Sequence, residues 1–174
     1  QCLYDDIAAK GGRPIMWKTG HSLMKAKLKA ESAVLAGEMS GHMFFADRYY
    51  GYDDALYAAI RFLGVLSRLG KPLSAFRKAL PARENTPELR LDCPDARKFA
   101  VIAEVKARLA KAGADFNDVD GVRVTTPDGW WLLRASNTQA VLVARCEAQD
   151  RPGLQRLKED LRAQLALSNV ALPF

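Results

Sequence analysis

The sequence predicts an α/β domain followed by a smaller α+β domain with an antiparallel sheet and helices on one face. Three observations predict this. In the first half, short apolar runs suited to buried strands are interleaved with amphipathic helical patterns. In the second half the patterns follow the order β-α-β-β-β-α, which indicates a sheet covered by helices. Between them lies Pro-Ala-Arg-Glu-Asn-Thr-Pro at 81–87, with two prolines and few apolar residues, which reads as a linker or a crossing strand. The expected organisation is therefore 1–80, a linker at 81–87, and 88–174. A length of 174 residues fits, since a domain takes roughly 100–200 residues or, when small, about half that.

The elements are expected in this order. Residues 2–10 read as a helix that Gly11-Gly12 stops. Pro14 to Trp17 reads as a short buried strand, and Lys18 to Ser22 as a polar turn. Leu23 to Glu31 has a period-two stretch but consists of Ala, Leu, Met and Lys with no β-branched residue, so a helix capped by Ser22 is preferred. Ala33–Ala36 and Met43–Phe45 read as strands around the loop 37–42. Asp53 is expected to cap a helix whose Leu56, Ala59, Ile60, Leu63 and Leu66 fall at helical spacing on one face, with Gly70 as its stop. A short helix is expected at 73–79.

Past the boundary, Glu88–Leu91 reads as a strand. Residues 95–112 read as a helix with Phe99, Ile102, Val105 and Leu109 inward. Val122–Val124 and Trp130–Leu133 flank Pro127-Asp128-Gly129 as a hairpin. Val141–Val143 makes the next strand, and Leu154, Leu157, Leu161 and Leu165 mark the last helix.

Composition narrows the function. Hydrophobic residues make up 49% and charged residues 26%, which excludes a disordered tail, a collagen-like repeat and a coiled-coil rod. No apolar run approaches the ~18 residues of a membrane span, and no signal-peptide pattern is visible. The chain starts at Gln1, so it is read as processed, truncated or part of a longer polypeptide. A net charge of +6 favours anionic partners such as phosphate esters or nucleic acid. Three cysteines, with no CxxC pair, point to a reducing cytoplasm rather than a disulfide framework, and with two histidines they do not suggest a zinc site.

Two polar loops carry the chemistry. Gly37-Glu38-Met39-Ser40-Gly41-His42 sets two hydrogen-bonding side chains between two glycines and a third, His42, directly after them. A carboxylate such as Glu38 accepts from two vicinal hydroxyls at once, so the loop suits a sugar or polyol; the alternative is an ordinary surface turn. Arg134-Ala135-Ser136-Asn137-Thr138-Gln139 gathers a guanidinium, hydroxyls and amides, a set suited to phosphate; the alternative is a polar loop closing a strand end. His21 is a further acid/base candidate or a solvated ring. Trp130-Trp131 invites a stacking platform, although adjacent strand residues face opposite ways.

Taken together, Met16-Trp17-Lys18-Thr19-Gly20-His21-Ser22, the 37–42 loop and Arg134-Ala135-Ser136-Asn137-Thr138 resemble the α-D-phosphohexomutase superfamily, its bacterial phosphomannomutase/phosphoglucomutase branch above all. The resemblance runs along essentially the whole chain. It implies an incomplete three-layer α/β third domain followed by a complete fourth domain, out of four. It implies that Glu38 and Ser40 contact sugar O3 and O4 with His42 beside them. His21 is implied near the reacting centre, and Arg134, Ser136, Asn137 and Thr138 at the phosphate that is not transferred. Lys18 belongs to the same motif. The activity implied is interconversion of hexose 1-phosphate and hexose 6-phosphate, through a phosphoserine and a hexose 1,6-bisphosphate, with Mg²⁺. The Ser-His-Asn-Pro and Asp-Gly-Asp-x-Asp-Arg loops that carry the phosphoserine and metal in the family do not occur in this sequence. The expectation is a substrate-recognition half, inactive alone, whose partners are a glucose or mannose phosphate and the N-terminal half, with no metal ligands of its own. Ala140 stands where the family usually has proline, which removes a constraint on φ. The alternative reading is a basic α+β module that binds nucleic acid.

Overall fold

A computed structural model describes residues 1–172 and divides the chain into two compact units, Gln1–Pro81 and Ala82–Phe174. The first unit is α/β and the second α+β.

In the first unit, α1 spans Cys2–Ala9 and α2 His21–Ala30. Helix α2 begins earlier than expected. Its N-cap is Gly20 rather than Ser22, and the cap has a φ of 130° that side-chain-bearing residues rarely adopt. Pro14 to Trp17 is half-buried but forms no strand. A strand exists by its ladder, and among the described residues of this unit the only sheet is the antiparallel pair β1 (Leu35–Gly37) and β2 (Met43–Phe45).

Helix α3 (Ala55–Leu69) is capped by Asp54, whose carboxylate accepts from the Tyr57 N–H at 2.9 Å, not by Asp53. The Tyr49 hydroxyl and that N–H together hold the Asp54 carboxyl below its usual range. The helix stops at Gly70 in the left-handed conformation. The apolar stripe read from the sequence faces outward: Leu56 is 80% and Ile60 68% exposed, and Ala59 and Leu63 are exposed as well. The face that packs within the unit carries Tyr57 and Arg61. Tyr57 meets the Phe45 ring edge-on at 5.5 Å, and the Arg61 guanidinium lies over Phe45 and donates to the Asp47 carbonyl and carboxylate at 2.9 and 3.0 Å. Capping and these polar bonds orient the helix against β2 and leave its apolar stripe uncovered. Helix α4 covers Leu73–Ala79.

The second unit holds the main core. Strands β3 (Glu84–Asn85), β4 (Leu89–Asp92), β5 (Phe116–Asn117), β6 (Val122–Thr126), β7 (Gly129–Ala135) and β8 (Val141–Ala148) form one antiparallel sheet. Its order is β3-β8-β7-β6-β5, with β4 on the same edge of β8 as β3. Glu84–Asn85, within the segment expected as a linker, are therefore part of the sheet. Thr86 follows them, buried, and its hydroxyl accepts from the Cys146 N–H at 3.1 Å.

Helices α5 (Asp95–Lys111) and α6 (Arg151–Ala166) cover one face. Register decides which side chains meet them. Val124, Trp131 and Cys146 stand in one cross-strand row, and Val122, Leu133 and Ala144 in the next. Burial pushes the Cys146 thiol up to about 11. Val101, Val105 and Leu109 of α5 and Leu157, Leu161 and Leu165 of α6 complete the core. Phe99, expected inward, is exposed, because the inward stripe of α5 runs through Lys98 and Val101 instead.

Candidate functional site

The 37–42 loop joins β1 to β2 and extends their pairing. The Glu38 N–H donates to the His42 carbonyl at 2.9 Å, and the Gly41 N–H to the Glu38 carbonyl at 3.0 Å. Gly41 has a φ of +97°, so the turn needs glycine there. This holds Glu38 half-buried with its carboxylate fixed. Oε1 accepts from the Gly20 N–H at 3.0 Å, and Oε2 lies 3.4 Å from the Ser40 hydroxyl. The turn before α2 is thus tied to the 37–42 loop.

Both lie against a cavity of about 510 Å³ lined by Gly20, His21, Lys25, Glu38, His42, Tyr52 and Asp53. Three sequence-predicted residues, His21, Glu38 and His42, line it, and Ser40 reaches it through Glu38. Lys18 is exposed and does not line it. The His42 Nδ1 lies 2.6 Å from Asp53 Oδ2, and Asp53 Oδ1 accepts from the Met43 N–H at 3.3 Å. An ionised carboxylate only accepts, so Nδ1 carries the proton and Nε2 is left as acceptor. His21, by contrast, has only the Ser22 hydroxyl at 3.4 Å from its Nδ1. Sequence reasoning missed Lys25, Tyr52 and Asp53. Lys25 was within reach: it lies one helical turn after His21, once the helix is started at His21.

The second loop, 136–140, joins β7 to β8 in the other unit. Arg134 is half-buried on β7, opposite Val143, and its guanidinium makes no hydrogen bond or ion pair among the described residues. Ser136 is buried. Its N–H donates to the Val141 carbonyl at 3.0 Å, and its hydroxyl accepts from the Thr138 and Gln139 N–H groups at 3.4 and 3.2 Å. Asn137 and Thr138 stand exposed at the tip. The loop is closed internally by Ser136, and Arg134, Asn137 and Thr138 present their side chains outward from it.

The tryptophan pair is not a stacking platform. Trp131 is fully buried with its Nε1–H donating to Asp160 at 2.6 Å, and Trp130 lies half-buried beneath the Arg123 guanidinium. Among the described residues no group of three or more His, Cys, Asp or Glu is placed to hold a metal ion. No helix among them is long and apolar enough to cross a membrane.

Comparison with known proteins matches residues 1–83 to the phosphoglucomutase/phosphomannomutase α/β/α domain III and residues 88–164 to the C-terminal domain of the same family. A phosphomannomutase/phosphoglucomutase from Pseudomonas aeruginosa is 44% identical over 167 residues, covering 96% of this chain and 36% of that protein. A phosphoglucomutase from Neisseria gonorrhoeae is 43% identical, covering 90% of the chain and 34% of that protein. The crystal structure of a phosphoglucomutase/phosphomannomutase family protein from Burkholderia thailandensis superposes with a TM-score of 0.88 at 45% identity, over 99% of this chain and 37% of that one. The chain spans about a third of the length of the curated relatives it matches. With two successive domain models, relatives above 40% identity and a close structural superposition in agreement, the chain belongs to the phosphoglucomutase/phosphomannomutase family, of which it carries the third-domain and C-terminal-domain regions.

Proposed function

We propose that this chain is the substrate-recognition half of a phosphomannomutase/phosphoglucomutase that interconverts hexose 1-phosphates and hexose 6-phosphates. Residues 1–80 read the sugar, 81–87 connect, and 88–174 grip the phosphate that is not being transferred. The observation that carries the reading is the Glu38 carboxylate, fixed by the Gly20 N–H at the edge of a cavity that also holds His21 and His42. A carboxylate held in this way accepts from O3 and O4 of a pyranose without reorganising, and Ser40 adds a hydroxyl beside it.

Either end of a hexose 1,6-bisphosphate must fit the same grip after the sugar turns over. A guanidinium without a protein partner, with loop amides and hydroxyls around it, is indifferent to which phosphate it holds. Arg134 supplies the fork, Asn137 and Thr138 the further donors, and Ser136 keeps the loop shaped. His42, whose Nδ1–H donates to Asp53, leaves Nε2 for a sugar hydroxyl; His21, on the same cavity, is the acid/base candidate or a phosphate-side contact. The phosphoserine and Mg²⁺ of the reaction belong in this reading to the N-terminal half, which is the protein partner. The setting is cytoplasmic.

The test is titration of the 174-residue chain with glucose 1-phosphate and mannose 1-phosphate, followed by NMR. Shifts at 37–42 and 134–138 are expected, and Arg134→Ala should weaken binding by about 1.5–3 kcal/mol, the scale of a charge-assisted hydrogen bond. The chain alone should show no mutase turnover, and turnover should appear on addition of the N-terminal half. Phosphosugar affinity indifferent to Arg134→Ala, or turnover from the pure chain, overturns the reading.

A further inference from the structure

We propose that Lys98, on α5 and distant in sequence from both loops, is the positioning residue that holds the phosphate loop in its binding shape. The proposal rests on the phosphate reading of residues 134–138. Lys98 is only 4% exposed. Its Nζ donates to the Gln139 carbonyl at 3.0 Å and pairs with the Asp95 carboxylate at 2.6 Å. Burying an ammonium is costly unless it is paired and hydrogen-bonded. Packing alone would be met by methionine at this point of the inward stripe. What the ammonium adds is a bond to the loop.

The loop is fixed unequally at its two ends. Its start is held by Ser136, through the bonds already described. Its end, Gln139–Ala140, is held from outside. Besides Lys98, the Cys93 N–H donates to the Ala140 carbonyl at 3.0 Å, and Arg90 reaches the Gln139 side chain. The Val141 N–H donates to the Gln139 carbonyl at 2.9 Å, which makes Ala140 the centre of a three-residue turn, and its φ is not positive. This is the inverse γ-turn, with φ near −75°. Proline, at about −65°, would fix that φ covalently. The Ala140 N–H makes no hydrogen bond among the described residues and the residue is exposed, so a proline there breaks no bond. With alanine in place, the carbonyl that closes the turn is held by Lys98. If that hold is lost, the loop must be ordered when phosphate arrives, and affinity falls.

The experiment uses the 174-residue chain and its Lys98→Met variant, with Lys98→Gln as a second variant should methionine compromise folding. Amide hydrogen exchange at Thr138, Gln139 and Val141, whose N–H groups are bonded within the loop, is expected to rise about tenfold in either variant, with the amides of β6, β7 and the rest of β8 unchanged. Affinity for inorganic phosphate and glucose 1-phosphate, read by NMR titration, is expected to fall about three- to tenfold. Adding Ala140→Pro to Lys98→Met should restore both, a rescue that a purely structural role for Lys98 would not show. Unchanged loop exchange in the Lys98 variants, or exchange that proline does not reverse, overturns the proposal. Arg134→Ala separates the two claims. If it leaves affinity unchanged, the phosphate reading fails, and the exchange data still decide whether Lys98 holds the loop.

Discussion

Adjacent aspartates do different work in the first unit. Asp54 caps α3, and Asp53 turns back to His42 and the Met43 N–H. Either residue satisfies the sequence rule for a helix cap, so sequence alone assigned the cap to Asp53 and left the true partner of His42 unseen. The loop residues themselves were legible, because a carboxylate, a hydroxyl and an imidazole around two glycines have no packing reason to sit together. What pairs with the imidazole across the strand was not, since it depends on where the chain returns after β2. The pairing has a direct readout. The His42 ring should carry its neutral-state proton on Nδ1 in the wild-type chain, visible in the ring nitrogen shifts by NMR, because Asp53 is there to accept it. Asp53→Ala removes the acceptor, and the proton should then redistribute to Nε2. Ring nitrogens that do not respond would remove the basis for reading His42 as a sugar contact oriented by Asp53.

At the scale of elements, several spans were legible: α4 and β2 match their expected bounds, and the α6 leucines are inward as read. Two-residue strands such as β5 were not, because they are defined by a partner and have too few residues to show a period. Nor was the polar lacing between α5 and α6. Arg97 grips Glu104 through two bonds of 2.6 and 2.9 Å and also donates to the Ser168 carbonyl, while Arg108 donates to Gln164 and to the Ser168 hydroxyl. The Arg97 guanidinium above all, with the Ser168 hydroxyl, holds the Glu104 carboxyl at about 2, well below its ordinary 4.5. A carboxyl lowered in the folded state stabilises it above the unfolded value, and that contribution is lost as pH falls through the folded one. Glu104 should therefore support the second unit fully above about pH 4.5 and progressively less from there to about 2. The urea midpoint of Glu104→Gln should lie below that of the wild type at pH 7, and the gap should close on acidification to pH 2. A gap that stays constant with pH would mean that the Arg97–Glu104 pair contributes nothing through its charge.

For the molecule as a whole, the two units differ in how much each buries. Among the described residues, Leu28 and Phe44 are the buried apolar side chains of the first unit, and the rest of the core lies in the second. Most of the large exposed apolar side chains fall the other way, Phe99 and Leu167 being in the second unit. Leu3, Val34, Leu35, Leu56, Ile60, Phe62, Leu63, Val65, Leu73, Phe76 and Leu80 all belong to the first unit. A helical stripe in a sequence states which residues favour burial, not what covers them, and the α3 face, read as one apolar face, lies exposed. Stability follows buried apolar area at about 25 cal/mol per Å², so the two units should not unfold together. The expected denaturation has two steps. The first unit opens at low urea, with rapid hydrogen exchange along α1 and α3 and early proteolytic cleavage before residue 82. Strands β6–β8 and helices α5 and α6 stay protected to a higher concentration. The exposed α3 face should bind a hydrophobic dye before any urea is added, as contiguous uncovered apolar surface does. Replacing Leu56, Ile60 and Leu63 by polar residues should reduce that dye binding without lowering the second transition, since none of them lies in the second core. One cooperative transition with uniform protection across both units would show that the first unit is stabilised well beyond what its own buried side chains supply.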